Sequence, residues 1–470
     1  MRLDHPLQLP YAQMLSRRRF NQLSALSLGG LLHADKLLAA PAADITLELA
    51  PYLLEASPKH HIRTLAYNGQ VPGPLLRLRQ GRPTSVTIRN KTPDPEIVHW
   101  HGLFLPSEID GAMEEGTQMI APGAEVHYNL TPDPPGFRWY HTHTRAGNDL
   151  SKGLYSGLFG PLYIEAAHDP GAYDAEVFLN LHDWDGQFQG SGDGNMAPAY
   201  NVSTINGKIL GFGEPIRVKQ GQRLLLHILN SSATDVHWIA LAGHTFRVFA
   251  LDGNAVASPQ AVSMLQLAPA ERVSAIVDLN NPGVWILGEV RKHIQFAGMG
   301  IVLEYAGSSN TPVWNQPEEL TWSYSQFAAP QSTDTSEAMP INLVIDAKFH
   351  GHGAEEQWLI NGKSYPHTDQ PVLTAGQRYR LAMINNSMDA HPLHLHRHTF
   401  ELCSINQNAH GRKPSIPGPS LRGIYKDVVL APPATTTEVE FVANNPGLTL
   451  FHCHQQDHMD RGFMMVFRYA

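Results

Sequence analysis

Apolar residues along this chain recur in short runs, and no long stretch repeats them at the spacing of a helix. Runs such as RPTSVTIRN, QRLLLHILN and TEVEFVAN are bounded by glycine, proline and asparagine. Such boundaries are typical of strands that end in tight turns, and the 35 prolines and 39 glycines supply many turns. We therefore predict an all-β protein built from sandwiches of short strands.

Three segments of the chain repeat the same order of features, which indicates an internal repeat. Each opens with an Asn-Gly turn, at Asn68, Asn206 and Asn361, and continues through a glycine into a strand-like run. A histidine-bearing segment follows, and each copy closes with a Pro-Gly turn and a strand: PGFRWYHTH, PGVWILGEV and PGLTLFHCH. A length of 470 residues accommodates roughly three domains of ordinary size. We predict three sandwich domains, at residues 44–167, 168–307 and 341–470, and a proline-containing linker at 308–340.

The middle copy keeps this scaffold but lacks the histidines of the outer copies. Five and seven residues after the glycine of the Pro-Gly turn, the outer copies carry histidines where the middle copy has Gly288 and Val290. Ala240 and Ala242 likewise take the places of histidines in the HPLHLH segment of the third copy. A surface that is merely rich in histidine would not follow the repeat in this way. We therefore expect a metal centre formed by the first and third copies.

The stretch Leu450–Met464, LFHCHQQDHMDRGFM, resembles a strand that runs into a turn. Alternate side chains of a strand point to opposite faces, so His452 and His454 face one way and Cys453 faces the other. His458 lies five residues after Cys453 and can curl back beside it. A thiolate with two imidazoles is the ligand set of a blue copper site, so one further histidine must come from elsewhere. The alternative interpretation is a histidine-rich surface turn with a spare thiol.

Four histidine motifs stand together in this chain: HWH, HTH, HPLHLH and HCHQQDH. Their histidines far exceed the needs of one tetrahedral zinc site. With these motifs, essentially the whole mature sequence resembles a three-domain multicopper oxidase of the laccase type. The resemblance implies three consecutive cupredoxin-like Greek-key sandwiches and four coppers per chain, one type 1, one type 2 and two type 3. It assigns His391, Cys453 and His458 to type 1 copper, and His99 and His394 to type 2 copper. It assigns His101, His141 and His454 to one type 3 copper, and His143, His396 and His452 to the other.

The resemblance also implies the reaction. A small-molecule donor gives single electrons to the type 1 copper, Cys453 passes them to His452 and His454, and dioxygen is reduced to water at the other three coppers. Asp110 matches the carboxylate that delivers protons in bacterial relatives, and the alternative is a surface turn before Gly111. Phe463 stands where many relatives have an axial methionine, so we expect an axial non-ligand there.

Some residues depart from the family pattern. Met459 occupies the position of a second proton-relay glutamate in several bacterial relatives, and Asp457 or Asp460 could compensate for it. Arg397 stands where HLHGH would have glycine, and nothing in the sequence accounts for it.

The donor is less well defined by the sequence. Copper-detoxifying relatives carry a methionine-rich insert, whereas residues 308–360 contain the single methionine Met339. We therefore expect phenolic or other aromatic donors. Cuprous ion remains the alternative, because Met388, Met459, Met464 and Met465 lie near the type 1 ligands in sequence. A non-enzymatic cell-envelope scaffold conflicts with the intact ligand motifs, and His350 and His352 suit a solvated loop.

Charge and the N-terminus complete the sequence-based description. The net charge of −9, without basic tracts in the mature region, argues against a nucleic-acid partner. Residues 1–43 resemble a twin-arginine export signal, with Ser16–Phe20 reading SRRRF and cleavage near Ala42. The alternative is a basic segment before an ordinary helix, and the apolar part is too short to span a membrane. We predict a periplasmic or exported protein. With Cys403 and Cys453 as the only cysteines, no disulfide framework is expected, and Cys403 suits a buried position.

Overall fold

A computed structural model describes residues 44–166, 172–190, 196–314, 321–330, 337–348, 357–409 and 415–470. These residues form three consecutive β-sandwiches, each made of two sheets, and no sheet mixes strands from different sandwiches. The predicted all-β class is therefore confirmed. The predicted signal segment, His350 and His352, and parts of the predicted linker lie outside the described residues. The predicted domain limits stay a prediction.

The first sandwich contains eight strands: β1 (Asp44–Ser57), β2 (His60–Tyr67), β3 (Leu76–Arg79), β4 (Thr84–Asn90), β5 (Val98–His99), β6 (Glu125–Leu130), β7 (Gly136–Thr142) and β8 (Phe159–Glu165). Its sheets have the strand orders β2-β1-β4-β6 and β3-β8-β7-β5. The short edge strand β5 carries the first histidine of the HWH motif.

The second sandwich contains eleven strands: β9 (Ala175–Gly190), β10 (Met196–Ile205), β11 (Ile216–Val218), β12 (Arg223–Asn230), β13 (His237–Leu241), β14 (Phe246–Leu251), β15 (Asn254–Val262), β16 (Met264–Leu267), β17 (Arg272–Asp278), β18 (Val284–Glu289) and β19 (Gly300–Tyr305). Its sheets have the orders β10-β9-β12-β17-β14-β15 and β11-β19-β18-β13-β16.

The third sandwich also contains eleven strands: β20 (Met339–Lys348), β21 (Gln357–Ile360), β22 (Val372–Leu373), β23 (Arg378–Asn385), β24 (His391–Leu395), β25 (Phe400–Gln407), β26 (Tyr425–Lys426), β27 (Val428–Ala431), β28 (Thr435–Val442), β29 (Thr449–Cys453) and β30 (Met464–Tyr469). Its sheets have the orders β21-β20-β23-β28-β25-β26 and β22-β30-β29-β24-β27, which repeat those of the second sandwich.

Helices are few and short. The α-helices are α1 (Ser107–Asp110), α2 (Lys292–Ala297) and α3 (Gln456–Asp460), and the 3-10 helices are Met113–Glu115, Gly153–Tyr155 and Tyr324–Phe327. Among the described residues, no helix is long and apolar enough to cross a membrane.

The repeated Asn-Gly turns have the same backbone conformation in all three sandwiches. Asn68, Asn206 and Asn361 have φ values of 50°, 51° and 51°, and the glycine after each also has a positive φ. Two successive residues with positive φ define a type I′ turn, which suits a tight hairpin. The side-chain amide of Asn68 also donates to the carbonyl of Thr46, which fixes the turn against β1. The predicted turns are thus confirmed.

Alternating burial along the strands forms the sandwich cores. In β23, every second residue from Tyr379 to Asn385 is buried, as expected of a strand with one face on a core. Large side chains also fill the junctions between sandwiches, where Trp139 and Phe159 pack with Trp184. The outer sandwiches can therefore hold side chains on facing strands at fixed positions.

Candidate metal centre

Two strand pairs, one in each outer sandwich, place the central histidines. His99 on β5 pairs with His141 on β7, and His394 on β24 pairs with His452 on β29. Four further histidines join them, and all eight are buried: His99, His101, His141, His143, His394, His396, His452 and His454. Rings from the two sandwiches stack on each other, with centroids 3.8 Å apart for His101 and His394 and 4.0 Å apart for His99 and His396. The structure thus brings the two outer copies together, as the repeat predicted.

Hydrogen bonds fix which nitrogen points inward in six of the eight central rings. Six rings are held at one nitrogen by an oxygen: His99 Nδ1 by Asp110 O, His141 Nδ1 by Thr142 O, His394 Nδ1 by Asp427 O, His452 Nδ1 by Cys453 O, His396 Nδ1 by Asp110 Oδ2 and His101 Nε2 by Asp427 Oδ1. These nitrogens carry the ring hydrogen, because an oxygen acceptor requires a donor. The other nitrogen of each ring therefore presents a lone pair to the centre.

Lone pairs that face each other indicate a missing cation. His101 Nδ1 lies 3.4 Å from His141 Nε2, and His396 Nε2 lies 3.1 Å from His452 Nε2. Burial lowers the pKa of all four rings, to about 3 for His452, so none carries a second proton at neutral pH. Two lone pairs at these distances repel unless a positive ion lies between them. The cluster therefore fits bound metal ions.

A second donor set lies on the other face of β29. Cys453 Sγ lies 3.8 Å from His391 Nδ1 and 3.7 Å from His458 Nδ1, and these two nitrogens are 3.2 Å apart. The hydroxyl of Ser387 contacts His391 Nε2 at 2.8 Å, which orients that ring. The predicted curl of His458 back to Cys453 is provided by α3. One thiol and two imidazoles thus converge, and Cys453 is fully buried rather than part of a surface turn.

Apolar side chains enclose this second set. Trp358 packs on both rings, with centroids 4.6 Å from His391 and 4.3 Å from His458. Phe463 is fully buried, and its ring centroid lies 4.9 Å from that of His391. The side chains packed on both rings are therefore apolar, and the ring of Phe463 stands where a thioether was not expected.

The chain matches multicopper oxidases over most of its length. Family models described as multicopper oxidase match residues 54–169, 179–296 and 334–470. The multicopper oxidase MmcO of Mycobacterium tuberculosis (strain ATCC 25618 / H37Rv) is 30% identical, and the match covers 85% of this chain and 82% of that protein. The chain belongs to the multicopper oxidase family. The resemblance noted in the sequence is therefore confirmed.

Other relatives extend the comparison. A laccase of Pycnoporus cinnabarinus is 25% identical, and the match covers 95% of this chain and 93% of that one. The crystal structure of a multicopper oxidase from Pseudomonas thermotolerans superposes with a TM-score of 0.71 at 26% identity, covering 92% of this chain and all of that one. The sandwiches of this multicopper oxidase are accordingly cupredoxin-like.

Copper, which the family implies, suits both donor sets. Thiolate and imidazole are preferred copper ligands, and the Cys453 set has the composition of a blue copper site. Several central nitrogens, including His99 Nε2, His143 Nε2 and His394 Nε2, have no hydrogen-bond partner although they are buried. Unpaired buried polar atoms are costly, and a coordinated ion removes that cost. All eleven residues that the sequence assigned to copper lie in one of the two sets.

Asp110 lies against the central cluster. It is the last residue of α1 and is fully buried, so the alternative of a surface turn is wrong. Its Oδ2 lies 3.0 Å from His396 Nδ1 and 3.2 Å from His99 Nδ1, which belong to different sandwiches. The next residue, Gly111, has a φ of 104°, and a Cβ there would lie 2.0 Å from the carbonyl of Val98. Only glycine lets α1 close on β5.

Glu115 is a second buried acid that the sequence analysis missed. Its Oε2 lies 3.6 Å from His396 Nδ1, and its Oε1 accepts the amide hydrogen of Leu450 at 2.7 Å. Burial and neighbouring Asp110 raise the pKa of Glu115. The signal was available, because this acid follows Asp110 by five residues in IDGAMEEG.

Arg397, which the sequence left unexplained, joins two sandwiches. Its φ of 60° is in the region that favours glycine. Its buried guanidinium makes six hydrogen bonds, to Leu105 O, Leu448 O, Thr449 Oγ1, Pro446 O, Asn445 O and Asn445 Oδ1. These bonds tie the first sandwich to the turn that leads into β29. They offset the backbone strain of a non-glycine residue at this φ, which typically costs about 1–3 kcal/mol.

Asp460 and Asp457 have different surroundings from Asp110. The Oδ2 of Asp460 accepts the amide hydrogens of Ala146 and Gly147 at 2.9 and 2.8 Å, which docks α3 onto the loop after His143. Asp457 is buried beside the second donor set, with its Oδ2 4.0 Å from His458 Nε2. A proton relay through either acid stays a prediction.

Proposed function

We propose that this protein is a laccase-like oxidase with four coppers, which couples oxidation of phenolic or other aromatic donors to reduction of dioxygen. Four donors each lose one electron, and one dioxygen takes up four electrons and four protons to give two waters. The copper at Cys453, His391 and His458 would accept single electrons, and three coppers among the eight central histidines would reduce dioxygen. The observation that carries this proposal is the alternation along β29, where Cys453 faces one set and His452 and His454 face the other.

Within this proposal, Asp110 delivers protons. Its carboxyl group is buried between His99 and His396 and beside Glu115, and this contact with the central histidines supports the role. His99 and His394 would share the type 2 copper, and the remaining six central histidines would hold the type 3 pair in the two triplets named above.

Methionine burial favours an aromatic donor over cuprous ion. Soft thioethers would be needed to bind cuprous ion at the protein surface. Met459, Met464 and Met465, which kept that alternative open, are all buried in the third sandwich. Of the four methionines near the second donor set in sequence, Met388 alone is exposed, at 85%. One exposed thioether provides a poor cuprous site, whereas an aromatic ring needs only contact with the rim around His458.

Oxygen consumption tests the proposal. Copper-loaded protein is given a methoxyphenol or cuprous ion, and we expect faster turnover with the phenol at four phenols per dioxygen. Cys453→Ser should abolish turnover, whereas Cys403→Ser, which changes the other buried cysteine, should not. Met388→Leu should leave the phenol rate unchanged. Faster turnover of cuprous ion, with loss of that rate in Met388→Leu, would establish the alternative donor instead.

Export is a separate part of the proposal. The SRRRF segment at Ser16–Phe20 supports a twin-arginine signal and a periplasmic or exported location. Replacing Arg17 and Arg18 together by lysine should leave the protein in the cytoplasmic fraction. Unchanged fractionation of that variant would refute the signal.

A further inference from the structure

One residue, Asp427, touches copper ligands from both outer sandwiches. It lies between β26 and β27 and is fully buried. Its Oδ1 lies 3.1 Å from His101 Nε2, and its backbone carbonyl accepts the hydrogen of His394 Nδ1 at 2.7 Å. These are the two rings that stack at 3.8 Å with an interplanar angle of 13°. A single residue therefore holds both members of this stacked pair.

The carboxylate of Asp427 is itself held by arginines from the other two sandwiches. Arg272 of the second sandwich makes a bidentate contact, with Nη1 2.5 Å from Oδ1 and Nη2 2.6 Å from Oδ2. Arg138 of the first sandwich lies 3.2 Å from Oδ2. Paired N–H groups on a carboxylate are among the stronger and more directional protein contacts. Asp427 is thus fixed at the point where all three sandwiches meet.

The charges around Asp427 balance. Three buried anions and three buried cations form one network: Asp252, Glu271, Asp427, Arg138, Arg272 and Lys426. Because the network is neutral without any contribution from His101, that ring can stay uncharged. A neutral ring is what metal binding requires.

Among the six rings that are hydrogen-bonded to an oxygen, His101 uses the opposite nitrogen from the others. The five others are held at Nδ1, whereas His101 is held at Nε2, and its Nδ1 faces His141 Nε2 at 3.4 Å. A neutral imidazole has one hydrogen, and the acceptor at one nitrogen decides which nitrogen keeps a lone pair. With Asp427 at Nε2, the lone pair of His101 is on Nδ1 and points into the cluster.

We propose that Asp427 is a positioning residue that sets the tautomer and ring orientation of His101, and that Arg272 extends this control to the second sandwich. The proposal rests on the copper ligand set of the proposed function. Among the described residues, the second sandwich contributes no histidine to the centre, and its Arg272 acts there only through Asp427. Loss of a group that orients a metal ligand typically weakens metal affinity by 10–100-fold.

The test is a double variant with a matched control. Asp427→Asn with Arg272→Gln removes one charge of each sign, so the network stays neutral. In the control, Glu440→Gln disrupts another buried ion cluster, formed with Arg380 and Arg422, whose ion pairs within the described part of the chain involve none of the central histidines. Copper affinity is measured by competition with a chelator, and thermal unfolding is measured with and without copper. We expect the double variant to bind the central coppers about 10–100-fold more weakly while keeping the blue band of the Cys453 site.

Each outcome is decisive. Glu440→Gln should lower the unfolding temperature of the copper-free protein without weakening central copper binding. If the double variant behaves in the same way, Asp427 is structural only and the proposal is overturned. If the double variant does not fold, Asp427→Glu keeps the charge but moves the carboxylate relative to His101 Nε2, and unchanged central copper affinity in that variant also overturns it. A wild-type protein that binds no copper among the central histidines would instead overturn the proposed function.

Discussion

His237 of the second sandwich should be essential for stability and dispensable for copper. Its Nε2 lies 2.8 Å from Asp183 Oδ2, and its Nδ1 lies 3.1 Å from Glu289 Oε2. All three side chains are buried. Burial alone would lower the pKa of His237, but the two carboxylates outweigh burial and raise it to about 10. The ring is therefore a buried cation at neutral pH, and His237→Leu would leave two anions without it.

The expected cost follows from that pKa. A rise from the ordinary value of 6.5 to about 10 corresponds to about 5 kcal/mol at ~1.36 kcal/mol per pH unit. Removing one partner from a buried ion pair costs about 3–5 kcal/mol, which agrees. For a unit of this size, 1 kcal/mol lowers the unfolding temperature by about 2–4 °C. We therefore expect His237→Leu to lower the transition of the second sandwich by about 6–20 °C.

The stability difference should also depend on pH. Because the folded pKa of His237 is raised, its contribution is complete below about pH 6.5 and is lost as the pH rises through about 10. Burial raises the pKa of Asp183 and Glu289, but His237 outweighs it, together with Arg291 at Glu289 and serine hydroxyls at Asp183, and both values fall to about 2. Their contribution is therefore present above about pH 4.5 and is lost as the pH falls towards 2. The difference between wild type and variant should be largest between about pH 4.5 and 6.5.

Calorimetry across this pH range, with and without copper, is the assay. The control is His227→Leu in the same sandwich, because burial lowers the pKa of His227 and its ring is neutral. That variant should lose stability without the decline towards pH 10. Copper content should be unchanged in both variants. A cost below about 1 kcal/mol for His237→Leu, or a cost that does not vary with pH, would refute the buried cation.

Three further predictions concern the copper sites. Cys453→Ser should lose the intense blue colour while keeping copper at the central histidines. A visible spectrum in which this variant stays blue would contradict the assignment of Cys453. Asp110→Asn should slow dioxygen reduction by about 10²–10⁴-fold and leave reduction of the blue site by a phenol unchanged, so equal slowing of both in stopped-flow experiments counts against proton delivery. Phe463→Met should lower the reduction potential of the blue site, because a thioether favours the oxidised ion, and 59 mV corresponds to tenfold in equilibrium. An equal or higher potential in a redox titration of that variant shows that Phe463 is not axial.

The scaffold and the ligand motifs were predictable because their signals are local. The turn at Asn68 needs only two adjacent residues that tolerate positive φ, and the two faces of β29 follow from strand alternation. The pairing of His99 with His141 and of His394 with His452 repeats the same register in two sandwiches. The equal spacing of these histidines in the two copies therefore corresponds to equal strand pairing in the structure.

The groups that hold the ligands were not predictable, because their contacts are distant in sequence. Arg272 and Asp427 are 155 residues apart, and Arg397 and Leu105 are 292 apart. No local pattern marks Asp427, whose carboxylate and carbonyl act on different sandwiches. Glu289 is different, since it stands six residues after Gly283, just as Cys453 stands six residues after Gly447. The repeat contains that equivalence, but in the sequence only the histidine positions on either side of it suggested metal binding.

The same position carries a different polar pair in each sandwich. Glu96 accepts a hydrogen bond from Thr142 Oγ1 at 2.8 Å in the first, and His237 contacts Glu289 at 3.1 Å in the second. The β-strand registers make these pairs equivalent to His391 and Cys453 in the third.

Each pair offsets the free-energy cost of burying polar groups in a different way. Burial raises the pKa of Glu96 to about 7, so its carboxyl group is only partly ionised at neutral pH where it bonds to a hydroxyl. His237 is a cation matched by carboxylates on both ring nitrogens. In the third sandwich, the Nδ1 atoms of His391 and His458 face each other and Cys453, and the carboxylate of Asp457 lies 4.0 Å from the opposite nitrogen of His458. Among the described residues, no acid hydrogen-bonds either of these Nδ1 atoms, so a bound cation is what completes this pair and only this pair. The fold thus accommodates three different polar pairs at one position, and only the pair in the third sandwich belongs to a donor set that suits copper.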